Sequence, residues 1–311
     1  MMTVLRKAIL IGVFCVLSAG SAMAAEYLQP FVLAYKTTGD VSKVATDVKG
    51  KLTGAGFEIV GEYSPYADAD IIVVTNDALK AAAAKSDRGG YGAVQRVAVT
   101  KNGDDIEVTY TNPVYMAAAY RMASDLADVR AQLQGALGAE SDFGSEKKLT
   151  ADDLRKYHYT VMMEYFDDPS ELAEYDNHAD AVKAVESALA AGAGGTAKVY
   201  RVDIPGKSPD GKEMTVFGVA MKGVNAEDCS GDEFIMSRID KSTPRHTAHL
   251  PYEILVNGNE AEALYGRFRI AMDWPHLSML SSSTGATFFS IMCSPNAIEE
   301  TLTKAAGGEE K

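Results

Sequence analysis

Chemistry-bearing residues are scarce in this chain. Its 311 residues hold three cysteines, five histidines and one tryptophan. No Cys-x-x-Cys-His run occurs, which excludes covalent c-type haem, and the cysteine spacing fits no zinc motif. Gly-x-Ser-x-Gly and His-Glu-x-x-His are both missing, so neither a nucleophile elbow nor a metalloprotease helix is expected. Positive charge is short as well: 30 basic stand against 43 acidic side chains. That balance argues against a phosphate-backbone partner, which needs a basic stripe, and against charge-driven binding to an anionic bilayer. No nucleic acid is expected among its partners.

Long apolar runs are also lacking, apart from a short one at the start. Arg6 and Lys7 supply a positive n-region, Ala8 to Leu17 an apolar core, and Ala22-Met23-Ala24 a small-x-small end. This is the pattern of a secretory signal peptide, residues 1–24, cleaved after Ala24. The apolar core is about half the ~20 residues that a membrane-spanning helix requires. Cys15 sits inside that core without the small residues expected before a lipidated cysteine. The mature chain is therefore expected in the periplasm or outside the cell, with no membrane span. There, Cys229 and Cys293 are its only cysteines, and they either pair as a disulfide or sit buried and inert.

The mature length suits two cores rather than one. Asp40 reads as the cap of a helix with Val41, Val44, Ala45, Val48 and Leu52 on one face. Strands follow at Phe57 to Tyr63 and Ile71 to Thr75, then a helix from Asn76-Asp77. A hairpin runs from Ala93 to Thr100 and from Ile106 to Thr111, turning at Asn102-Gly103. Pro113 ends it and helical segments continue to Leu137. Small and polar residues then give a linker over residues 139–150. Thr150 to Asp153 has the look of a helix start, short of a full capping box because Asp replaces Glu.

Beyond the linker the pattern returns. Strands are expected at His158 to Phe166, Ala197 to Val202, Met214 to Ala220 and Tyr252 to Val256. A long strand after the Asn257-Gly258 turn ends at Pro275, and another spans Thr287 to Met292. Helices are expected at Ala179 to Leu189, Asp232 to Ile239 and Ser294 to Leu302. Both halves thus read β-α-β-β-α-β-β-α. Ile72 to Asn76 aligns with Phe217 to Met221. We expect an α+β protein of two related domains, 25–138 and 151–311, each an antiparallel-rich sheet with helices on one face.

Short motifs carry a family resemblance. Gly56-Phe57-Glu58-Ile59-Val60, the Tyr110-Thr111-Asn112-Pro113 strand end and Leu250-Pro251-Tyr252-Glu253-Ile254 resemble the bacterial family catalogued as domain of unknown function 302. The second copy departs from the pattern, with Met272-Asp273-Trp274-Pro275 in place of Tyr-x-x-Pro. The resemblance implies a small α+β domain prone to self-association and hands over no catalytic residues.

Candidate site residues gather where each hairpin exits at a proline, because the chain must leave the sheet there. Tyr110, Asn112, Tyr115, Met116 and Trp274 are the candidate wall of a small-ligand pocket. His276 and Met279, if helical, would share a face and could ligate haem iron or copper. The competing reading is that these residues pack the exit helix onto the sheet. His246 and His249 read as loop residues. Acidic pairs such as Asp167-Asp168 read as exposed charge. The leading function is a non-enzymatic exported binding or interaction protein, and the alternative is a redox-associated protein with haem or copper at His276.

Overall fold

The structure, a computed structural model, describes residues 26–309. The expected signal peptide and its cleavage point lie outside the described residues.

In the first half, β1 (Phe31–Thr37) leads into α1 (Val41–Gly54). The Asp40 carboxylate accepts from Lys43 N at 3.0 Å and so satisfies one free N–H of the first turn. α1 buries Ala45, Val48 and Leu52. β2 (Glu58–Tyr63) and β3 (Ala69–Thr75) follow, then α2 (Asp77–Ala83), capped by Asn76. β4 (Gln95–Asn102) and β5 (Asp105–Thr111) form the hairpin. Its ladder closes at Asn102 and Asp105, and Gly103 takes the positive φ of 65° that the turn requires. Asn112 caps α3 (Pro113–Ala119), whose first position suits proline because no N–H is needed there. α4 (Ala127–Leu137) completes the helices of this half.

The stretch 139–150 contributes a strand, β6 (Ser141–Phe143), which pairs antiparallel with β1. In α5 (Ala151–Arg155) the capping box does form. Asp153 accepts from Thr150 N at 2.9 Å, and Thr150 Oγ1 accepts from Asp153 N at 3.2 Å. Aspartate at this position is long enough.

The second half runs β7 (Ser170–Glu174), α6 (His178–Ala190), β8 (Thr196–Ile204), β9 (Met214–Met221) and α7 (Asp232–Ile239). Then come β10 (Tyr252–Asn257), β11 (Glu260–Ala263), α8 (Gly266–Asp273) and α9 (Ser294–Ala305).

Two expected strands are not formed and a third is cut short. Residues 158–166 are loop, tied down by the Tyr157 and Tyr159 hydroxyls on Ala271 O and Leu277 O. The place of that strand is taken by β7. The expected long strand to Pro275 stops at Ala263 and becomes α8. Its run Phe268-Arg269-Ile270-Ala271-Met272 is buried on all sides, and such a run carries no period that tells strand from helix. Phe288–Ile291 form a 3-10 turn, with Thr287 Oγ1 accepting from Ser290 N at 3.2 Å.

The fold is α+β, with two antiparallel sheets among the described residues. Their orders are β2-β3-β4-β5-β1-β6 and β7-β11-β10-β9-β8. Read from the other edge, the second is β8-β9-β10-β11-β7, the first sheet's order strand for strand without β6. α1 and α4 cover one face of the first sheet, and α6 and α9 one face of the second. The other faces turn toward each other.

Contacts across this middle are reciprocal. The 3-10 turn Gly89–Gly92, between α2 and β4, lies against β9 and β10. Its counterpart Thr247–His249, between α7 and β10, lies against β3, β4 and β5. Arg88 Nε donates to Glu262 on β11 at 2.8 Å, while Arg245 N donates to Glu107 on β5 at 2.7 Å. Both glutamates are buried at the same place in their hairpins. The corresponding strands β2 and β8 pass so close that a Cβ on Gly61 would lie 2.4 Å from Val199 O.

Cys229 and Cys293 form a disulfide with Cα atoms 5.8 Å apart, joining the segment before α7 to the start of α9.

Candidate functional site

The proline exits lead into the core. Tyr110, Tyr115, Met116 and Trp274 are all buried. The Tyr110 hydroxyl donates to Gly138 O at 3.0 Å, and Tyr115 donates to Met272 O at 2.7 Å, joining α3 to α8. Asn112 Nδ2 donates to Gln29 O at 2.8 Å, and its Oδ1 caps α3. Trp274 stacks on His246 with ring centroids 4.8 Å apart. These five side chains pack the exit helices onto the sheets.

His276 and Met279 do not share a helix face. The chain turns at Pro275-His276 and bends on, with Ser278 bridged to Thr287. Both side chains are exposed, and Met279 stands among other exposed apolar residues, Leu280, Phe289 and Met292. Among the described residues no group of three or more His, Cys, Asp or Glu is placed to hold a metal ion.

The two histidines expected in a loop instead open and close the 3-10 turn ending at His249, buried between the sheets at the centre of a charged cluster. Arg269 of α8 pairs with Asp273 one turn later and donates to His249 O. Arg96 of β4 donates to Glu253 of β10 at 2.7 Å, and the Tyr200 hydroxyl reaches the same oxygen at 3.1 Å. Every ionisable side chain of the cluster is at most 4% exposed. Burial would raise the Asp273 carboxyl, but the Arg269 guanidinium and the His249 hydrogen bond outweigh it and hold it below the usual range. An ionised Asp273 accepts from His249 Nδ1 at 2.6 Å, which leaves Nε2 to accept from the Tyr252 hydroxyl at 3.1 Å. Burial keeps both rings neutral, lowering His246 to about 3 and His249 to about 4. Closed to solvent, the cluster holds the halves together.

An open site lies beside it, where the end of α7 meets the first sheet. A cleft of about 310 Å³ is walled by Tyr66, Ala67, Thr100 and Lys101 from the first half. From the second come Glu233, Met236, Ser237, Asp240, Lys241 and Arg245. Asp240 follows the last residue of α7 and is 1% exposed. Its Oδ1 accepts from His246 N at 3.0 Å, while Oδ2 and Thr100 Oγ1, both closed to solvent, have no partner among the described residues. Burial raises the Asp240 carboxyl to about 7, against the pull of the His246 hydrogen bond and of Arg245. Tyr66 is fixed by a 2.8 Å hydrogen bond between its hydroxyl and Thr247 Oγ1. A buried carboxyl with a free oxygen, a free hydroxyl and flanking ammonium groups is a set of groups suited to binding.

No family model, no curated protein and no solved structure matches this chain, so the motif resemblance gains no support from these comparisons.

Sequence reasoning passed over Asp240, because an acid after a helix reads as solvated charge. It also passed over Arg269 and Asp273. Their i, i+4 spacing was the available signal, hidden by reading that segment as a strand.

Proposed function

We propose that the protein is an exported, non-enzymatic binding protein whose ligand sits in the cleft between its halves. The observation that carries this reading is the unpaired Oδ2 of Asp240, a buried carboxyl oxygen at a cleft wall. An unsatisfied buried polar oxygen costs about 1–3 kcal/mol, a cost that a ligand hydrogen bond relieves. The cleft's volume is that of a small-molecule site, at the low end of the usual ~300–1,000 Å³. Walls drawn from both halves also explain why one chain carries both. Export rests on the n-region, the short apolar core and Ala22-Met23-Ala24.

Native mass spectrometry of the mature protein with a small-metabolite library tests the reading. Ser237 is exposed on the cleft wall, so Ser237→Trp fills the space without disturbing the core. We expect a one-to-one complex with wild type that Ser237→Trp abolishes at unchanged Tm. Equal binding by the variant would place the ligand elsewhere and overturn the reading.

A further inference from the structure

The charges around the cleft select among ligands, an inference that rests on the binding-protein reading above. Lys101, Lys241 and Arg245 stand on its walls against Glu233 alone, apart from Asp240 itself. Lys241 Nζ donates to Ser237 O and Arg245 Nη1 to Asp240 O, so these two cations are held in place. We propose that the cleft takes a small carboxylate, hydrogen-bonded to the unpaired side chain of Asp240 and paired with the Lys101 ammonium.

A carboxylate offers acceptors only and needs donors around it. Here an Asp240 O–H, the Thr100 hydroxyl and Lys101 supply them. A hydrogen bond between a neutral carboxyl and a carboxylate is charge-assisted and correspondingly strong. An amine of the same size would meet three cations and a carboxyl whose charged form burial disfavours.

The groups facing Asp240 set its proton. Arg245 and Lys241, from its own loop, favour the ionised form, as does the His246 N–H. Glu107 of β5, from the first sheet, favours the protonated form together with burial. Glu107 is itself tempered by Lys36 at 3.2 Å and by the Arg245 N–H. The Tyr66 phenol facing Asp240 has its own pKa raised by burial first and by that carboxyl second, and stays neutral. A bound carboxylate adds one negative charge beside Asp240 and strengthens its hold on the proton. Binding therefore requires the protonated form, and affinity falls as pH rises through about 7.

The test is calorimetric titration of the mature protein with propionate, and with propylammonium as the size-matched cation, at pH 6 and pH 8. We expect propionate to bind wild type at pH 6 and to bind about tenfold more weakly at pH 8. Asp240→Asn keeps an acceptor for His246 N and a donor for the ligand but cannot titrate, so its propionate affinity should match at the two pH values. Lys101→Met, on an exposed side chain, should weaken propionate at both pH values and keeps the test open if Asp240→Asn fails to fold. Binding of propylammonium in place of propionate would overturn the carboxylate class and leave the cleft as the site. Propionate binding wild type equally at both pH values would overturn the role of the Asp240 proton. Heat from neither ligand at either pH would overturn the carboxylate class, and the library screen with Ser237→Trp decides the binding reading separately.

Discussion

Arg96 and Glu253 meet at 2.7 Å across the middle of the protein, one from each sheet, and both are all but closed to solvent. Arg96 also donates to Ala248 O at 3.0 Å, and Glu253 has Arg269 Nε at 3.7 Å. The sheets are thus joined through paired charges, not through an apolar seam alone. Removing one partner strands the other in a dry interior. Arg96→Met should cost about 3–5 kcal/mol in urea unfolding, and the double change Arg96→Met, Glu253→Leu should recover much of it. A single change within about 0.5 kcal/mol of wild type would show that the pair does not join the sheets.

The bridge between Cys229 and Cys293 closes a loop of 64 residues that holds α7, β10, β11 and α8. In the chain-entropy account such a closure stabilises by roughly 4 kcal/mol. Replacing both cysteines by serine should lower unfolding stability by about that amount, and reductant should do the same to wild type. Two free thiols in the denatured, unreduced protein would contradict the bridge.

Stability should fall between pH 6.5 and pH 8. Burial raises the carboxyls of Asp232 to about 8 and Asp240 to about 7. Folded pKa values above the unfolded value of about 3.9 mean that the folded state holds these protons longer, so their contribution is lost as pH rises. The neutral His246 and His249 have folded values below about 6.5 and act in the opposite sense, but only below that pH. From pH 6.5 to 7 both aspartates act uncompensated, each worth up to about 1.4 kcal/mol per pH unit. From 7 to 8 mainly Asp232 remains. Denaturant titrations should show this decline in wild type and a flat line in Asp232→Asn, Asp240→Asn. Rising stability over the window would contradict the buried protons.

Much of the fold was legible where local signals were strong. Asp40, Asn76 and the two hairpin glycines mark ends that depend on a few neighbouring atoms, and these elements formed as expected. The shared element order was readable for the same reason, although one second-half strand lies later, at Ser170–Glu174. Segments buried on every side were not legible. Phe268 to Met272 lacks a polar face, so only tertiary packing decides between strand and helix. The site was least legible of all. Tyr115 and Trp274 looked suited to a ligand but fill the core. Asp240 looked like surface charge, but lies buried because the 3-10 turn after α7 packs into the opposite half.

Amide chemical-shift mapping of the protein titrated with propionate at pH 6 tests the central claim most directly. The account predicts shifts at Ala67, Thr100 and Lys101 in the first half together with Met236, Asp240 and Arg245 in the second, converging on one saturation curve. Shifts centred on His276 and Met279, with the cleft residues unmoved, would contradict it.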